Sequence, residues 1–315
     1  MTLTVLGPQR RPTLDSVTRA YGPEVRFATV TAGWQEREDD DAELSALLGG
    51  RAVNLALHAR WLDVLDRDPE LATAELNHRA VLDELQELCS IRLEHALNAV
   101  DAIRRSSARP RTRTGVLADA EQAVRLVDAQ HLERVAAAQA AFEAAWRPGE
   151  RPVVAAHRAA VADRARAAEV LVVAGGHVGV LLRVLTRFGL AAVLPDRVVA
   201  WSAGAMALTE RVVLFGSGPA EVYDAGLGLL PGTVLLPHAR RRLPVDDPAR
   251  LGVLARRFAP ARCVVLDDGI RVDPDPDGAL PAGTRVIGPD GRIVTTDVAD
   301  PAADTVADPA GRAAP

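Results

Sequence analysis

Residues 197–205 read Arg197-Val198-Val199-Ala200-Trp201-Ser202-Ala203-Gly204-Ala205, and this stretch decides the fold class. Its first five residues predict a short buried strand, and the small residues from position 203 onward favour a helix. Ser202 therefore stands where a strand turns sharply into a helix, which lifts its hydroxyl clear of a sheet and beside backbone N–H groups. Several unrelated hydrolase folds present a nucleophile in this way. An ordinary tight turn in an alanine-rich chain is the alternative.

Further α/β signals lie on both sides of this elbow. Residues 3–6 and 27–31 predict strands with a helix between them, and the run Val170-Leu171-Val172-Val173-Ala174 is typical of a parallel strand covered on both faces. Downstream, the segments 270–272, 285–287 and 292–294 are separated by turn residues and predict a small β-meander. We therefore expect a flavodoxin-like, three-layer α/β domain with a parallel sheet.

A helical segment interrupts this pattern. Between about residues 50 and 165 the strand signals vanish, and apolar residues recur at helical spacing, as from Leu82 to Ile103. A second helix is predicted from about Leu117 to Trp146. The sequence thus predicts an α/β domain formed by residues 1–49 and 166–298 and an all-helical insertion at 50–165. The Ala/Asp/Pro-rich tail at 299–315 is predicted to be disordered.

The amino-acid composition excludes several classes of function for this chain. The formal charge of −5 gives no long-range case for nucleic acid, and the absence of lysine excludes both a Walker-type phosphate lysine and a Schiff-base lysine. Two cysteines are too few for a disulfide framework or a structural zinc site. No apolar run approaches the roughly 18 residues of a spanning helix. We expect a soluble cytoplasmic protein that needs no membrane, metal or cofactor.

A serine nucleophile needs a base, and one histidine follows Ser202 in the sequence. His238 comes 36 residues later, directly after the apolar run at 233–236, so it should reach the same sheet edge. A loop histidine without a catalytic role is the alternative.

Gly175-Gly176-His177 also ends a strand, and its glycines allow backbone N–H groups to approach a ligand or an oxyanion. We expect His177 either to contact the substrate or only to fill the turn. Arg240, close to His238, is a candidate for pairing with a substrate carboxylate, or part of a solvated face.

The order of these segments resembles the peptidase E and cyanophycinase family. The resemblance covers about residues 168–242 and rests on the strand-Gly-Gly end, on Trp-Ser-Ala-Gly-Ala and on residues 226–232, Gly-Leu-Gly-Leu-Leu-Pro-Gly, followed by a strand and His238. It implies a serine peptidase on the class I glutamine amidotransferase-like fold that cleaves a peptide or amide bond. It also implies Ser202 as nucleophile, His238 as base, and N–H groups near Gly176 and Ala203 as the oxyanion hole.

The chain departs from that family in three ways. The family has an acidic residue some fifteen positions after the serine, where this chain reads Phe-Gly-Ser-Gly at 215–218; Glu221 and Asp224 are the substitutes we consider. The Asp-Gln-His-Phe segment of cyanophycinase-like proteins is replaced by Leu-Pro-His-Ala at 236–239. The helical insertion has no counterpart in the compact members.

Three functions remain open on the sequence. The first is a serine hydrolase acting on a small peptide or amide. The second is a pseudoenzyme that keeps the pocket to bind a small molecule or a protein. The third makes the helical insertion an oligomerisation or docking module, for example the interface of a homodimer.

Overall fold

The structure, a computed structural model, describes residues 1–9, 13–216 and 218–297 of the chain. The tail for which the sequence predicts disorder lies outside the described residues. Within the described residues the strands are β1 (Thr2–Leu6), β2 (Phe27–Val30), β3 (Ala52–Asn54), β4 (Val170–Val173), β5 (Arg197–Trp201), β6 (Arg211–Leu214), β7 (Glu221–Ala225), β8 (Thr233–Pro237), β9 (Arg262–Leu266), β10 (Arg271–Val272), β11 (Arg285–Ile287) and β12 (Ile293–Thr295). The α-helices of the same residues are α1 (Leu14–Thr18), α2 (Ala42–Leu47), α3 (Leu57–Arg67), α4 (Pro69–Arg105), α5 (Pro110–Trp146), α6 (Pro152–Arg166), α7 (Val178–Arg187), α8 (Ala203–Ala207), α9 (Ala239–Arg242) and α10 (Pro248–Phe258).

The main sheet has the strand order β10-β1-β5-β4-β2-β3, and every strand except β10 runs parallel to its neighbours. The apolar run of β4 has no exposed residue, and its side chains alternate between two clusters. Leu171 and Val173 pack on one face, and Val170 and Val172 pack on the other. Both faces of the sheet are therefore covered, as such a run predicts. The expected mixed α/β architecture with a parallel sheet is confirmed.

Two smaller sheets extend this framework. Strands β8 and β9 pair in parallel, β11 and β12 add to them antiparallel, and β6 and β7 form a separate antiparallel pair. The predicted three-stranded meander is wrong in one strand, because β10 pairs with β1 of the main sheet instead of with β11. A two-residue strand carries no sequence signal for its partner, so only the folded chain decides where it pairs.

The helical segment is dominated by two long helices, α4 and α5, which pack against each other as an antiparallel hairpin of 37 residues per helix. Asp68 caps α4 by accepting from the N–H of Leu71 at 3.1 Å, and Pro69 follows at the first helical position. The sequence missed β3, which lies at the start of the range assigned to the insertion and pairs with β2. None of the described helices is both long and apolar enough to cross a membrane.

Ion pairs join the hairpin to the α/β part. Arg187 of α7 contacts Glu75 of α4 at 2.5 Å and also pairs with Glu143 of α5. Arg257 of α10 binds Asp128 of α5 through two hydrogen bonds of 2.6 Å, and both of these side chains are at most 5% exposed. These contacts fix the hairpin against α7 and α10.

Candidate active site

Ser202 occupies the junction between β5 and α8 with backbone angles φ 51° and ψ −120°. Residues other than glycine rarely adopt a positive φ, and strain of this kind concentrates at functional sites. The N–H of Ser202 donates to the carbonyl oxygen of Leu6 at 3.2 Å, and its own carbonyl oxygen accepts from the N–H of Met206 at 3.0 Å. The backbone at Ser202 thus has the sharp, strained strand-to-helix geometry that a nucleophile elbow requires.

Close packing beneath the elbow explains its small residues. A Cβ added at Gly204 would lie 2.5 Å from the carbonyl oxygens of Val173 and Ala174, so no side chain fits there. A Cβ added at Gly175 would lie 3.1 Å from the Cβ of Ser202. Gly175, which follows β4, is therefore a direct neighbour of Ser202 at the carboxyl edge of the sheet.

The double glycine lets a second backbone segment approach this edge. Gly176 has φ 121°, and a Cβ there would lie 2.2 Å from the carbonyl oxygen of Gly33. The same oxygen accepts a hydrogen bond of 2.8 Å from the N–H of His177. The backbones of Gly33 and Gly176 therefore pack directly against each other between the ends of β2 and β4.

His177 begins helix α7. Its Nδ1 accepts from the N–H of Val180 at 3.2 Å, so the ring caps the helix. Burial lowers the pKa of His177, and the nearby cations of Arg79 and Arg183 lower it further. A neutral ring suits this role, because a cap must accept a hydrogen bond from a backbone N–H.

His238 directly follows β8 in a left-handed conformation, φ 58° and ψ 32°. Its N–H donates to the carbonyl oxygen of Leu266 at 3.2 Å. Its carbonyl oxygen accepts from the N–H groups of Arg241 at 2.9 Å and Arg242 at 3.0 Å. The side chain is half-buried, so His238 lies at the sheet edge and remains accessible.

A chain of backbone contacts connects the two predicted catalytic residues. Ser202 bonds to Leu6, and the next residue, Gly7, packs so tightly on the carbonyl oxygen of Asp267 that an added Cβ would lie 1.8 Å from it. Asp267 ends β9, the strand beside the one that ends in His238. Helix α8 also packs on β8. Both residues therefore belong to the same edge of the molecule.

Glu221 and Asp224, the acids considered on the sequence, lie on β7 and bond to the helical hairpin. The carboxylate of Glu221 accepts from Gln86 Nε2 at 2.9 Å, and that of Asp224 accepts from Gln139 Nε2 at 2.8 Å. Burial raises the pKa of Asp224. These contacts link β7 to α4 and α5. The role of either carboxylate as partner of His238 is untested and stays a prediction.

Sequence reasoning missed another carboxylate near His238. In the parallel pair β8–β9, Pro237 is opposite Leu266, so the residues that follow, His238 and Asp267, leave adjacent strands side by side. The signal was present in the sequence, since an acidic residue directly follows the buried strand that ends at 266. It was missed because the pairing of β8 with β9 is not visible in sequence spacing.

The Asp267 side chain is 12% exposed, and its two oxygens have different partners. Oδ1 accepts from the backbone N–H of Arg240 at 3.0 Å. Oδ2 is buried and accepts no hydrogen bond from the described residues, although Arg240 Nε lies 3.5 Å away and Arg285 Nη1 3.7 Å away. A buried carboxylate oxygen without a hydrogen bond is costly and calls for an explanation. Arg240 itself remains 69% exposed, as a substrate-binding arginine would be.

Two cavities lie where the helical hairpin meets the α/β part, and neither is lined by Ser202 or His238. The smaller, about 170 Å³, lies between α4, α7 and β7; Gly179 and Tyr223 line it, and Arg79 and Arg183 face it. The larger, about 480 Å³, lies between α4, α9 and α10. Its lining includes Arg241 and Arg242, whose backbones bond to His238.

Residues 123–271 of the chain match the family model of peptidase family S51. This range contains both Ser202 and His238. The match confirms the resemblance to the peptidase E and cyanophycinase-like peptidases over this part of the chain. Among curated proteins, none matches the chain. Among solved structures, the crystal structure of a peptidase from an acI-B1 Actinobacterium is similar, with 11% identity and a TM-score of 0.42 over 94% of each chain.

Proposed function

We propose that this protein is a serine peptidase of the peptidase E and cyanophycinase type that cleaves a peptide or amide bond in a small substrate. The observation that carries the proposal is the strained backbone of Ser202 at a strand-to-helix elbow, inside the range that matches a peptidase family. Strain at a non-glycine residue persists only where the surrounding structure imposes it, and a nucleophile elbow is a known reason for it.

The proposed mechanism assigns one step to each group. Ser202 Oγ attacks the carbonyl carbon of the scissile bond while His238 accepts the hydroxyl proton. Backbone N–H groups near Gly176 and Ala203 stabilise the resulting oxyanion, and Gly175 leaves room for it beside the serine. His238 then gives its proton to the leaving amine. Water, activated by the same imidazole, hydrolyses the acyl-enzyme and restores Ser202.

We assign the orienting acid to Asp267 in preference to Glu221 and Asp224. A triad base needs a carboxylate that holds its ring and stabilises its charged form. Asp267 supports this assignment through its position beside His238 on the adjacent strand and through its buried Oδ2. Glu221 and Asp224 instead bond to glutamines of the helical hairpin. Asp267 is a positioning residue in this scheme, because it acts through His238.

The same proposal includes the fold of the two parts of the chain and the roles of Arg240 and His177. We assign the class I glutamine amidotransferase-like arrangement to residues 1–49 and 166–298, supported by a parallel sheet covered on both faces with the site at its carboxyl edge. Residues 50–165 form the insertion. Arg240 is the proposed partner of a substrate carboxylate, and His177 lies beside the substrate as the cap of α7. No cofactor is invoked; cytoplasmic localisation and a homodimer through the insertion remain predictions.

Labelling with a fluorophosphonate probe tests the proposal. The probe reacts with an activated serine, so wild type should be labelled and Ser202→Ala should not. Ser217→Ala is a suitable control, because it removes another serine hydroxyl in the matched range. We expect this control to be labelled as wild type is.

Labelling that persists in Ser202→Ala would place the reactive serine elsewhere. Wild type that resists the probe at every pH from about 6 to about 9, a range that extends to both sides of the ordinary histidine pKa, would reject the hydrolase. The protein would then be better described as a binding protein without catalytic turnover.

A further inference from the structure

The larger cavity is a groove that the helical hairpin and the α/β part build together. It has a volume of about 480 Å³, within the range of about 300–1,000 Å³ that is usual for ligand sites. Helix α4 supplies one wall, α9 and α10 supply the other, and Gly216, Gly218, Pro219 and Ala220 also line it. Its lining includes Leu97, Asn98, Arg241, Arg242, Arg250 and Leu254.

This groove begins next to the candidate base. Arg241 and Arg242 line it, and their backbone N–H groups both donate to the carbonyl oxygen of His238. Two of its lining residues therefore lie within one helical turn of His238, and α4 lines the groove as well. Helix α9 therefore connects the groove to the proposed base through two backbone hydrogen bonds.

A buried ion pair makes the base of the groove rigid. Arg257 bonds to both carboxylate oxygens of Asp128 at 2.6 Å, and its Nη1 donates to the carbonyl oxygen of Ala220 at 2.6 Å. One guanidinium thereby joins α10, α5 and the β6–β7 loop. A groove held in this way is formed before a ligand arrives, which reduces the cost of ordering on binding.

The chemistry of the lining selects the ligand. Leu97 and Leu254 provide an apolar floor. Arg241, Arg242 and Arg250 are exposed, and their side chains form no ion pair with a carboxylate of the described residues. Such guanidinium groups bind carboxylates through charge-assisted hydrogen bonds.

The remaining lining suits a polypeptide. The amide of Asn98 and the backbone of Gly216 and Gly218 offer hydrogen-bond donors and acceptors of the kind that a peptide main chain uses. The opposite wall also carries the exposed carboxylate of Glu94. The groove therefore has a basic side, an apolar floor and two acidic residues, Glu94 and Asp101, across from the arginines. The Asp101 carboxylate already pairs with Arg104 at 3.0 Å, so three exposed arginines face one acid without such a pair.

We propose that this groove binds the peptide chain of the substrate beyond the scissile bond, and that it favours an apolar residue followed by acidic ones. The inference rests on the proposed function for the position of the scissile bond. In this arrangement the apolar side chain lies on Leu97 and Leu254, and the carboxylates pair with Arg241 and Arg242. The hairpin thereby takes part in substrate selection.

Binding to the inert variant Ser202→Ala tests the groove without any turnover. The probe is a fluorescein-labelled peptide in which a leucine is followed by two aspartates, measured by fluorescence anisotropy. Adding Arg241→Ala and Arg242→Ala should weaken binding at least about tenfold, because hydrogen bonds to charged groups are lost. A second peptide with lysines in place of the aspartates should bind at least about tenfold more weakly to the unaltered groove.

The matched control removes Arg109 and Arg111, two exposed arginines that do not line the groove, and should bind as the parent does. Leu97→Asp, checked for folding by thermal unfolding, should also weaken binding of the acidic peptide, because it removes apolar contact and adds a negative charge. Equal binding of the two peptides, equal binding by the Arg241/Arg242 variant, or no binding by the Ser202→Ala protein would each overturn the groove proposal. Failure of fluorophosphonate labelling in wild type would overturn the catalytic proposal separately.

Discussion

The parallel sheet and the helical hairpin are held in place by different balances of apolar burial and charge pairing. In the sheet, β4 and its neighbours bury apolar residues on both faces, so burial of apolar area dominates. The hairpin also buries apolar residues against the α/β part, such as Leu71 and Phe142, but it adds buried charged pairs, among them Arg187 with Glu75 and Arg257 with Asp128. Apolar burial is non-directional, whereas a bidentate arginine–carboxylate pair has one geometry.

This difference has a consequence for the site. The strained elbow at Ser202 lies on the sheet, where backbone packing leaves no freedom around Gly175 and Gly204. The walls of the groove lie on both regions, and their separation depends on the ion pairs. We therefore expect changes in the sheet-side machinery to abolish chemistry, and changes at the hairpin junction to alter stability and substrate binding.

The largest expected effect is a loss of reaction rate when Asp267 at the sheet edge is replaced, compared with Glu221 and Asp224 beside the hairpin. Asp267→Asn should lower the rate of fluorophosphonate labelling, or of turnover, by up to about 10⁴-fold, because the imidazole loses the carboxylate that orients it. Glu221→Gln and Asp224→Asn should change this rate little. Asp267→Glu, which keeps the charge, should restore part of the lost rate.

The control is Asp268→Asn, which removes an equal charge from the exposed neighbour and should leave the rate unchanged. If Glu221→Gln or Asp224→Asn produced the large loss instead, the hairpin side would supply the acid. The assignment to Asp267 would then be wrong.

A smaller but still large effect is expected from breaking the hairpin junction. Asp128→Ala leaves the Arg257 side chain, 3% exposed, without its carboxylate, and should lower the free energy of unfolding by about 3–5 kcal/mol. Chemical denaturation measures this change. Asp163→Ala, which breaks an exposed pair with Arg166 at 3.9 Å, should cost less than about 0.5 kcal/mol. Equal losses for the two variants would show that the buried pair does not hold the hairpin.

The smallest expected effect is a pH dependence at the β7–hairpin contact. Burial raises the pKa of Asp224 above its ordinary value of 3.8, so the folded chain keeps this proton to a higher pH than the unfolded chain does. Unfolding then releases a proton within this window, and the contribution of Asp224 to stability falls as the pH rises from about 4. Asp224→Asn should remove that fall. Denaturation midpoints compared across pH for wild type, Asp224→Asn and the exposed control Asp246→Asn measure it.

Local signals predicted much of the architecture. The apolar run of β4, the long helices around the break near residue 109, and the elbow at Ser202 each follow from the periodicity or sterics of neighbouring residues. Failures occurred where a partner is distant in the sequence. The two-residue strand β10 pairs with β1, and Asp267 comes to lie beside His238 only because β8 pairs with β9.

By itself the sequence determined an α/β chain with a long helical segment, a serine at a sharp turn and a histidine at the end of a later strand. These features depend on residues a few positions apart, whose backbone preferences act before the chain is folded. Only the tertiary structure decided which carboxylate lies beside His238, which arginines hold the hairpin, and where a groove opens between the two regions. Those outcomes depend on strand register and on the orientation of packed helices, and both are set by contacts between residues far apart along the chain.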